Sequence, residues 1–370
     1  MSDVFGKNVR LTLFGESHGQ MVGAVLEGMA PGIAVDEAFI AEQLTLRRPV
    51  GKISTSRVEA DHFSIVSGVY EGRTTGTPIC IIIPNENVRS GDYSDIRGLA
   101  RPGHADYTSY AKYHGYEDSR GGGHNSGRLT APIVAAGAIA VSALRARNIE
   151  IGTHIASCGG IADRCFASES GGDALRQEIR MLGAKAFAVL DDEAGERMRD
   201  RIAEAAAAGD SVGGVLETAV TGVPAGVGEP WYDSVESVLS HALFAIPAVK
   251  AVSFGDALSM TGAYGSDYND EFALDGDSIY TLTNHNGGIN GGITNGMPLR
   301  FSCVIKPTPS IGREQRTVDY LNGRETTISV SGRHDPAVIH RARVVVDSVT
   351  ALVLCDLIAG RYGTDWLKAQ

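Results

Sequence analysis

Val9, Leu11 and Leu13 alternate with polar neighbours up to Gly15, the period of a half-buried strand, so Gly15-Glu16-Ser17-His18-Gly19 is delivered at its tip. Met21 to Leu26 reads as the next strand. Asp36 stands as N-cap of a short helix that carries Phe39, Ile40 and Leu44 on one side and ends before Pro49. The runs Phe63 to Val69 and Ile79 to Ile83 predict further strands, as do Val212 to Thr221, Val249 to Phe254 and Leu299 to Lys306. Thr130 to Arg147 is alanine-rich and apolar on nearly every face, the mark of a helix buried all round. A second such helix runs from Pro336 to Ala359, with Asp335 as its N-cap and Pro336 at its first position. Asp192 to Ala208 is amphipathic and reads as peripheral. The stretch from Gly91 to Gly127 is too long for an ordinary connection, so it is functional or partly disordered. Two central helices among antiparallel strands make an α+β fold. With no strict repeat and no dividing linker, residues 1–370 read as a single domain.

Composition narrows the class. Hydrophobic residues are 43% and charged residues 21% of 370, a globular balance. Glycine is the outlier at 46 residues, about 12% against a usual share of about 7%, without a collagen period. The formal charge of -11, from 33 basic and 44 acidic residues, argues against binding nucleic acid or an anionic membrane, which both need a basic face. Cys80, Cys158, Cys165, Cys303 and Cys355 are scattered, with no C-x-x-C pair, so neither a disulfide framework nor a zinc site is indicated and no metal is expected. The expected compartment is the reducing cytoplasm. The N-terminus has no apolar signal core, and no run of about 18 apolar residues occurs.

Four glycine-rich segments hold most of the polar candidates: the Ser17-His18 tip, Arg101-Pro102-Gly103-His104-Ala105-Asp106, Arg120 to Arg128, and Asn286 to Gly292 together with Lys306-Pro307-Thr308-Pro309-Ser310. Glycines let backbone N–H groups crowd around a phosphate while arginine or lysine supplies charge. Gly51-Lys52 is followed by Ile53, so it is not a P-loop, and no dinucleotide fingerprint is present. Gly15 to Gly19 also matches G-x-S-x-G, the nucleophile elbow of serine hydrolases with Ser17 as nucleophile. That motif needs a strand before it and a helix after it, whereas a strand follows here. His18 and His104 each read either as hydrogen-bonding struts or as proton carriers, since histidine exchanges protons near neutrality. Asp335 has a competing reading as a helix cap, with Arg333-His334 adding charge before the helix.

As a set, Phe14-Gly-Glu-Ser-His-Gly19, Thr74-Thr-Gly-Thr-Pro78, Arg101-Pro-Gly-His-Ala-Asp106, Arg120-Gly-Gly-Gly123, Gly222-Val-Pro-Ala-Gly226, Lys306-Pro-Thr308 and Gly332-Arg-His-Asp-Pro336 resemble chorismate synthase, in that family's order and across nearly the whole chain. The resemblance implies a carbon–oxygen lyase that converts 5-enolpyruvylshikimate 3-phosphate to chorismate by anti 1,4-elimination of phosphate. It also implies reduced FMN, with no net redox change and NADPH as a possible reductant, a β-α-β sandwich fold and a homotetramer. By the same resemblance His18 would protonate the leaving phosphate, His104 would protonate or stabilise the flavin near N1, and Asp335, partnered by Ser17, would assist proton removal through flavin N5. Arg47, Arg48, Lys52, Arg57, Arg101, Arg128 and Arg333 would hold the substrate anions. His124, Asn125, Ser126, Pro247, Ala248, Gly291, Lys306, Pro307, Thr308, Pro309, Ser310 and Arg333 would border the flavin.

The chain departs from the family pattern in two places. His124-Asn125-Ser126-Gly127-Arg128-Leu129-Thr130 stands where many members have Arg-Ser-Ser-Ala-Arg-Glu-Thr, and Lys52 stands where an arginine is common. Lysine does not reproduce a bidentate guanidinium contact. A serine hydrolase and a non-catalytic flavin- or phosphate-binding protein stay open as rival classes at this level.

Overall fold

The computed structural model describes residues 3–49, 51–54, 60–86, 97–166, 173–330 and 335–368. Among these, two five-stranded antiparallel sheets enclose a helical layer. The first sheet runs in the order Val4–Phe5, Arg10–Gly15, Met21–Glu27, Ile79–Pro84, Ser64–Ser67. Leu11 lies opposite Leu26, and Ala24 opposite Ile81. Because paired residues share a face, Leu11, Val22, Ala24, Leu26, Ile79, Ile81 and Ile83 form one continuous buried wall.

The second sheet runs Val249–Phe254, Leu299–Ile305, Gly214–Thr221, Glu150–Cys158, Ile161–Ala162. Its inner face carries Leu216 between Ile155 and Cys303, and Val220 between Ile151 and Leu299. Its outer face pairs His154 with Glu217 across the strands. There His154 bridges Asp163 at 2.9 Å and Glu217 at 2.8 Å, with Arg300 on the other oxygen of Glu217 at 2.8 Å. A small second core of Phe166, Leu175, Ile179, Leu182, Ala188 and Ala219 lies beside it under the helix Asp173–Gly183.

Between the sheets lie the helices Thr130–Arg145 and Ile339–Tyr362. All of the first except Ser142 and Arg145 is buried. By length and composition the stretch Gly127–Arg145 is apolar enough to cross a membrane, but 89% of that window is buried inside the protein. The two helices approach closely where Gly137 meets Ser348. This is the expected sandwich, with the amphipathic helix Asp192–Ala207 turning Ala194, Met198 and Ile202 inward.

Two local expectations are corrected. The second central helix starts at Ile339 with Val338 in the cap position and no side-chain cap, so Asp335 is not its N-cap. Instead the Asp335 carboxylate accepts from Arg341 inside the first turn, and the Pro336 carbonyl accepts from Val212 N at 2.8 Å. The strand expected over Phe63 to Val69 ends at Ser67, because Gly68 takes φ +81 and Val69–Tyr70 turns away to pair with Arg73–Thr74. The described part of the long loop, 97–127, contains a helix at Asp106–Tyr113 and a 3-10 turn at Gly123–Asn125, while 91–96 lie outside the described residues.

Candidate functional site

Both central helices begin, and the strands Arg10–Gly15 and Leu299–Ile305 end, around one cavity of 1120 Å³. Ligand pockets commonly measure roughly 300–1,000 Å³, so there is room for two small ligands together. Thr130 and Arg128 come from the start of the first helix, and Val338, Arg341 and Ala342 from the start of the second. Helix N-termini carry partial positive charge, so both dipoles favour an anion here.

The Ser17-His18 tip joins two adjacent strands of the first sheet, and no helix follows it. That removes the strand–turn–helix context a nucleophile elbow needs. Asn85 pins the tip by donating to the carbonyls of Glu16 at 2.9 Å and Gly19 at 3.0 Å. Ser17 Oγ lies 3.2 Å from His18 Nδ1, and both residues are buried. The triple-glycine loop closes over them: Ser17 N donates to the Gly123 carbonyl at 3.1 Å, and a Cβ on Gly121, at φ +66, would stand 2.6 Å from His18 Cε1. His124 Nδ1 donates to the Gly15 carbonyl at 2.8 Å while its Nε2 lies 3.3 Å from Asp3, so this histidine stitches loop to tip.

His104 faces the tip's cavity from the second loop. The Pro102 carbonyl, 3.2 Å from Nδ1, can only accept, so Nδ1 carries the proton and Nε2 accepts from Ser310 Oγ at 2.7 Å. Burial, and after it the nearby Arg101 charge, hold His104 below the usual imidazole range. Arg101 is itself clamped, donating to Asp106 through Nε at 2.8 Å and Nη2 at 2.6 Å, and to the Gly121 carbonyl at 2.6 Å. Lys306 Nζ donates to the Gly103 carbonyl at 2.7 Å, which ties the second sheet to this loop.

Arg47 and Arg128 share one buried carboxylate, Asp61. Arg341 donates to Asp335 and, through Nε at 2.6 Å, to the Arg47 carbonyl. Arg48 differs: Nη2 donates to the Ala60 carbonyl at 2.5 Å, and its buried Nε meets no acceptor among the described residues. Pro247 and Ala248 line the cavity beside Lys306, with Ala248 at φ +77, an uncommon conformation for a residue with a Cβ that recurs at functional sites.

The expected residues Ser17, His18, Arg47, Arg48, Arg101, His104, His124, Asn125, Ser126, Arg128, Pro247, Ala248, Lys306, Thr308, Pro309, Ser310 and Asp335 all line this cavity. Gly291 does not: it sits in the hairpin turn between Ile289–Asn290 and Ile293–Thr294. Pro307 is also absent from the wall and packs near Gly213. Lys52 belongs to the short turn Gly51–Ile53, and its side chain, like Arg57 and Arg333, lies outside the described residues. The hydrogen bonds described for the Ser17 hydroxyl go to His18 and the Arg120 carbonyl, whereas the Asp335 carboxylate bonds Arg341. Sequence reasoning passed over Asp61, Arg97 and Arg341 in the wall. Arg341 left a signal, a cation in the first turn of a largely apolar helix; Asp61, one of two carboxylates just before a strand, left none.

A family profile described as chorismate synthase matches residues 9–359. A chorismate synthase of Aeropyrum pernix is 44% identical over 356 residues, covering 96% of this chain and 92% of the relative. One of Methanocella arvoryzae is 42% identical over 361 residues, covering 97% and 95%. A solved structure titled "Crystal Structure of Chorismate Synthase" superposes with a TM-score of 0.76 at 26% identity, covering 97% of this chain and 94% of that one.

Proposed function

The chain belongs to the chorismate synthase family, and we propose on that premise how its own residues carry the reaction. The protein is a lyase that eliminates phosphate, anti and 1,4, from 5-enolpyruvylshikimate 3-phosphate to give chorismate. The observation that carries the site assignment is Arg48 Nε, shut from solvent with no acceptor among the described residues. Its neighbours are held by carboxylates: Arg47 and Arg128 by Asp61, Arg101 by Asp106, Arg341 by Asp335. A buried donor on a cation is costly to leave unmade, so the position suits an incoming anion. Arg48 grips the substrate, flanked by Arg47, Arg101 and Arg128, with Lys52, Arg57 and Arg333 extending the clamp. His18, held by Ser17 and covered by Gly121, gives its proton to the departing phosphate oxygen. Asp335, steered by Arg341, assists proton removal from C6.

The rest of the cavity suits FMN. It is larger than one ligand requires, and His104, Pro247, Ala248 and Lys306 form a second wall with His124 to Ser126 and Thr308 to Ser310. When bound, reduced FMN supplies the electron density that eases loss of phosphate, with no net redox change. His104, neutral and with its proton on Nδ1, is ready to gain charge beside an anionic flavin, and NADPH is the candidate reductant. We further read the chain as one catalytic domain and as a homotetramer in the cytoplasm, free of nucleic acid and membrane. The exposed Phe272, Leu274 and Ile279 on one face of the hairpin Phe272–Asp275/Ser278–Thr281 support assembly, and five free cysteines support a reducing compartment.

Anaerobic turnover with dithionite-reduced FMN, set against NADPH plus FMN, tests the cofactor. Chorismate should form with reduced FMN and not with oxidised FMN alone; formation without flavin overturns this reading. Arg48→Gln should raise KM for the substrate by about tenfold or more, the loss expected for a charged contact. An unchanged KM removes Arg48 from the clamp.

A further inference from the structure

We propose that Asp61 is the positioning residue of the substrate clamp: one buried carboxylate that holds Arg47 and Arg128 side by side in the cavity wall. This rests on the assignment of those two arginines to the substrate. Asp61 Oδ2 accepts from Arg47 Nη1 at 2.7 Å, and Oδ1 accepts from Arg128 Nη1. The three side chains are 3%, 7% and 7% exposed, so solvent screens none of these contacts appreciably.

The remaining bonds complete a rigid frame. Arg47 donates through Nε to Thr130 Oγ1 at 3.0 Å and through Nη2 to the Gly127 carbonyl at 3.3 Å. Arg128 donates through Nε to Asn85 Oδ1 at 3.0 Å and through Nη2 to the Pro84 carbonyl at 3.1 Å. Every acceptor except Asp61 among the described residues is neutral, so within that set Asp61 is the anion that offsets the repulsion between two buried cations. Its backbone stands at φ +52, a left-handed conformation that aspartate tolerates better than most residues and that surrounding structure must enforce. Two guanidiniums fixed side by side on one shared carboxylate form the planar, multidentate donor set that suits a phosphate or carboxylate on the substrate.

Three roles for Asp61 give different kinetics. If it only lowers the local positive charge, Asp61→Asn strengthens anion binding and KM falls. If it only supports the fold, folded Asp61→Asn keeps its kcat and KM. As a positioning residue, Asp61→Asn leaves the arginines mutually repelled and misaimed, so KM for 5-enolpyruvylshikimate 3-phosphate rises about tenfold or more while kcat falls less.

Steady-state kinetics with prereduced FMN on Asp61→Asn, Asp61→Glu, Arg47→Lys, Arg128→Lys and the double variant Asp61→Asn/Arg128→Lys test this, each checked for folding by circular dichroism. The expected result is a raised KM in all single variants, including Asp61→Glu, whose charge is kept but displaced by one methylene. The double variant should lose less than the product of the two singles, because both act through one contact. A raised KM in the lysine variants with unchanged or lowered KM in folded Asp61→Asn overturns the inference alone. Unchanged KM in the lysine variants overturns the clamp assignment and this inference with it. Should Asp61→Asn not fold, Asp61→Glu decides, and wild-type KM there overturns the positioning role.

Discussion

At Gly121 one hydrogen atom decides whether His18 can occupy its place. The backbone there has φ +66, and a Cβ would lie 2.6 Å from His18 Cε1 and 2.7 Å from Nδ1. Gly121→Ala therefore strains the loop and displaces the proton donor at once. Turnover with prereduced flavin should fall by about 10²-fold or more, the share usually carried by a general acid; wild-type turnover would take His18 out of the chemistry. Asp335 is the second residue-scale case. Since it is paired with Arg341 and is not the N-cap of the second central helix, the near-equivalence of Asp and Asn at a cap no longer protects it. Asp335→Asn should lose at least roughly tenfold in turnover for want of a basic oxygen. Full activity would leave Asp335 as an anchor for Arg341 only.

The contact between the two central helices depends on Gly137. A Cβ there would meet Ser348 Cβ at 2.3 Å and Ser348 Cα at 2.7 Å. Alanine improves helix propensity by about 1 kcal/mol, but overpacking a close contact costs typically 1–3 kcal/mol and the obstructing atoms include backbone. Gly137→Ala should therefore lower the urea midpoint, and adding Ser348→Gly should recover part of the loss by removing Ser348 Cβ and Oγ while Cα stays. An unchanged midpoint in the single variant would mean that the helices part without cost.

Over the whole molecule, two buried groups give stability opposite pH dependences. His340, with Nε2 2.7 Å from Ser54 Oγ, is driven down to about 4 by burial and then by the Arg341 charge. An unfolded histidine protonates near its ordinary value while the folded one stays neutral, so its contribution is present above about 6.5 and lost as pH falls to about 4. Asp347 is pushed up to about 6 by burial, against the pull of Arg343 at 3.6 Å and a 2.6 Å bond from Thr153. A raised carboxylate favours folding below its unfolded value and loses that contribution as pH rises towards about 6. Each effect is about 3 kcal/mol, so between about pH 4 and 6 they nearly cancel. Relative to the natural protein, urea midpoints there should fall with rising pH in His340→Gln and rise with pH in Asp347→Asn. Profiles parallel to that of the natural protein in both variants would refute the opposition. As pH falls below their ordinary carboxyl values, the depressed carboxyls of Asp163 and Glu217, held by His154 and, for Glu217, also by Arg300, lose their contribution.

The alternation through Val9 to Leu13, the apolar run Ile79 to Ile83, the two helices apolar on nearly every side, and the glycine loops bearing Ser17, His18 and His104 are legible along the chain. They are legible because burial imposes a local period that neighbours in sequence reveal. Where the second central helix begins was not legible: Asp335-Pro336 has the form of a helix start, and only the folded molecule brings Arg341 and Val212 to claim those groups. Gly291, one glycine among many, falls on a hairpin outside the cavity for the same reason. The clamp depends still more on tertiary structure, since Asp61 meets Arg128 across 67 positions and Arg47 meets Thr130 across 83. Ion pairs and hydrogen bonds act through distances in space, and those distances exist only after the sheets and helices have packed.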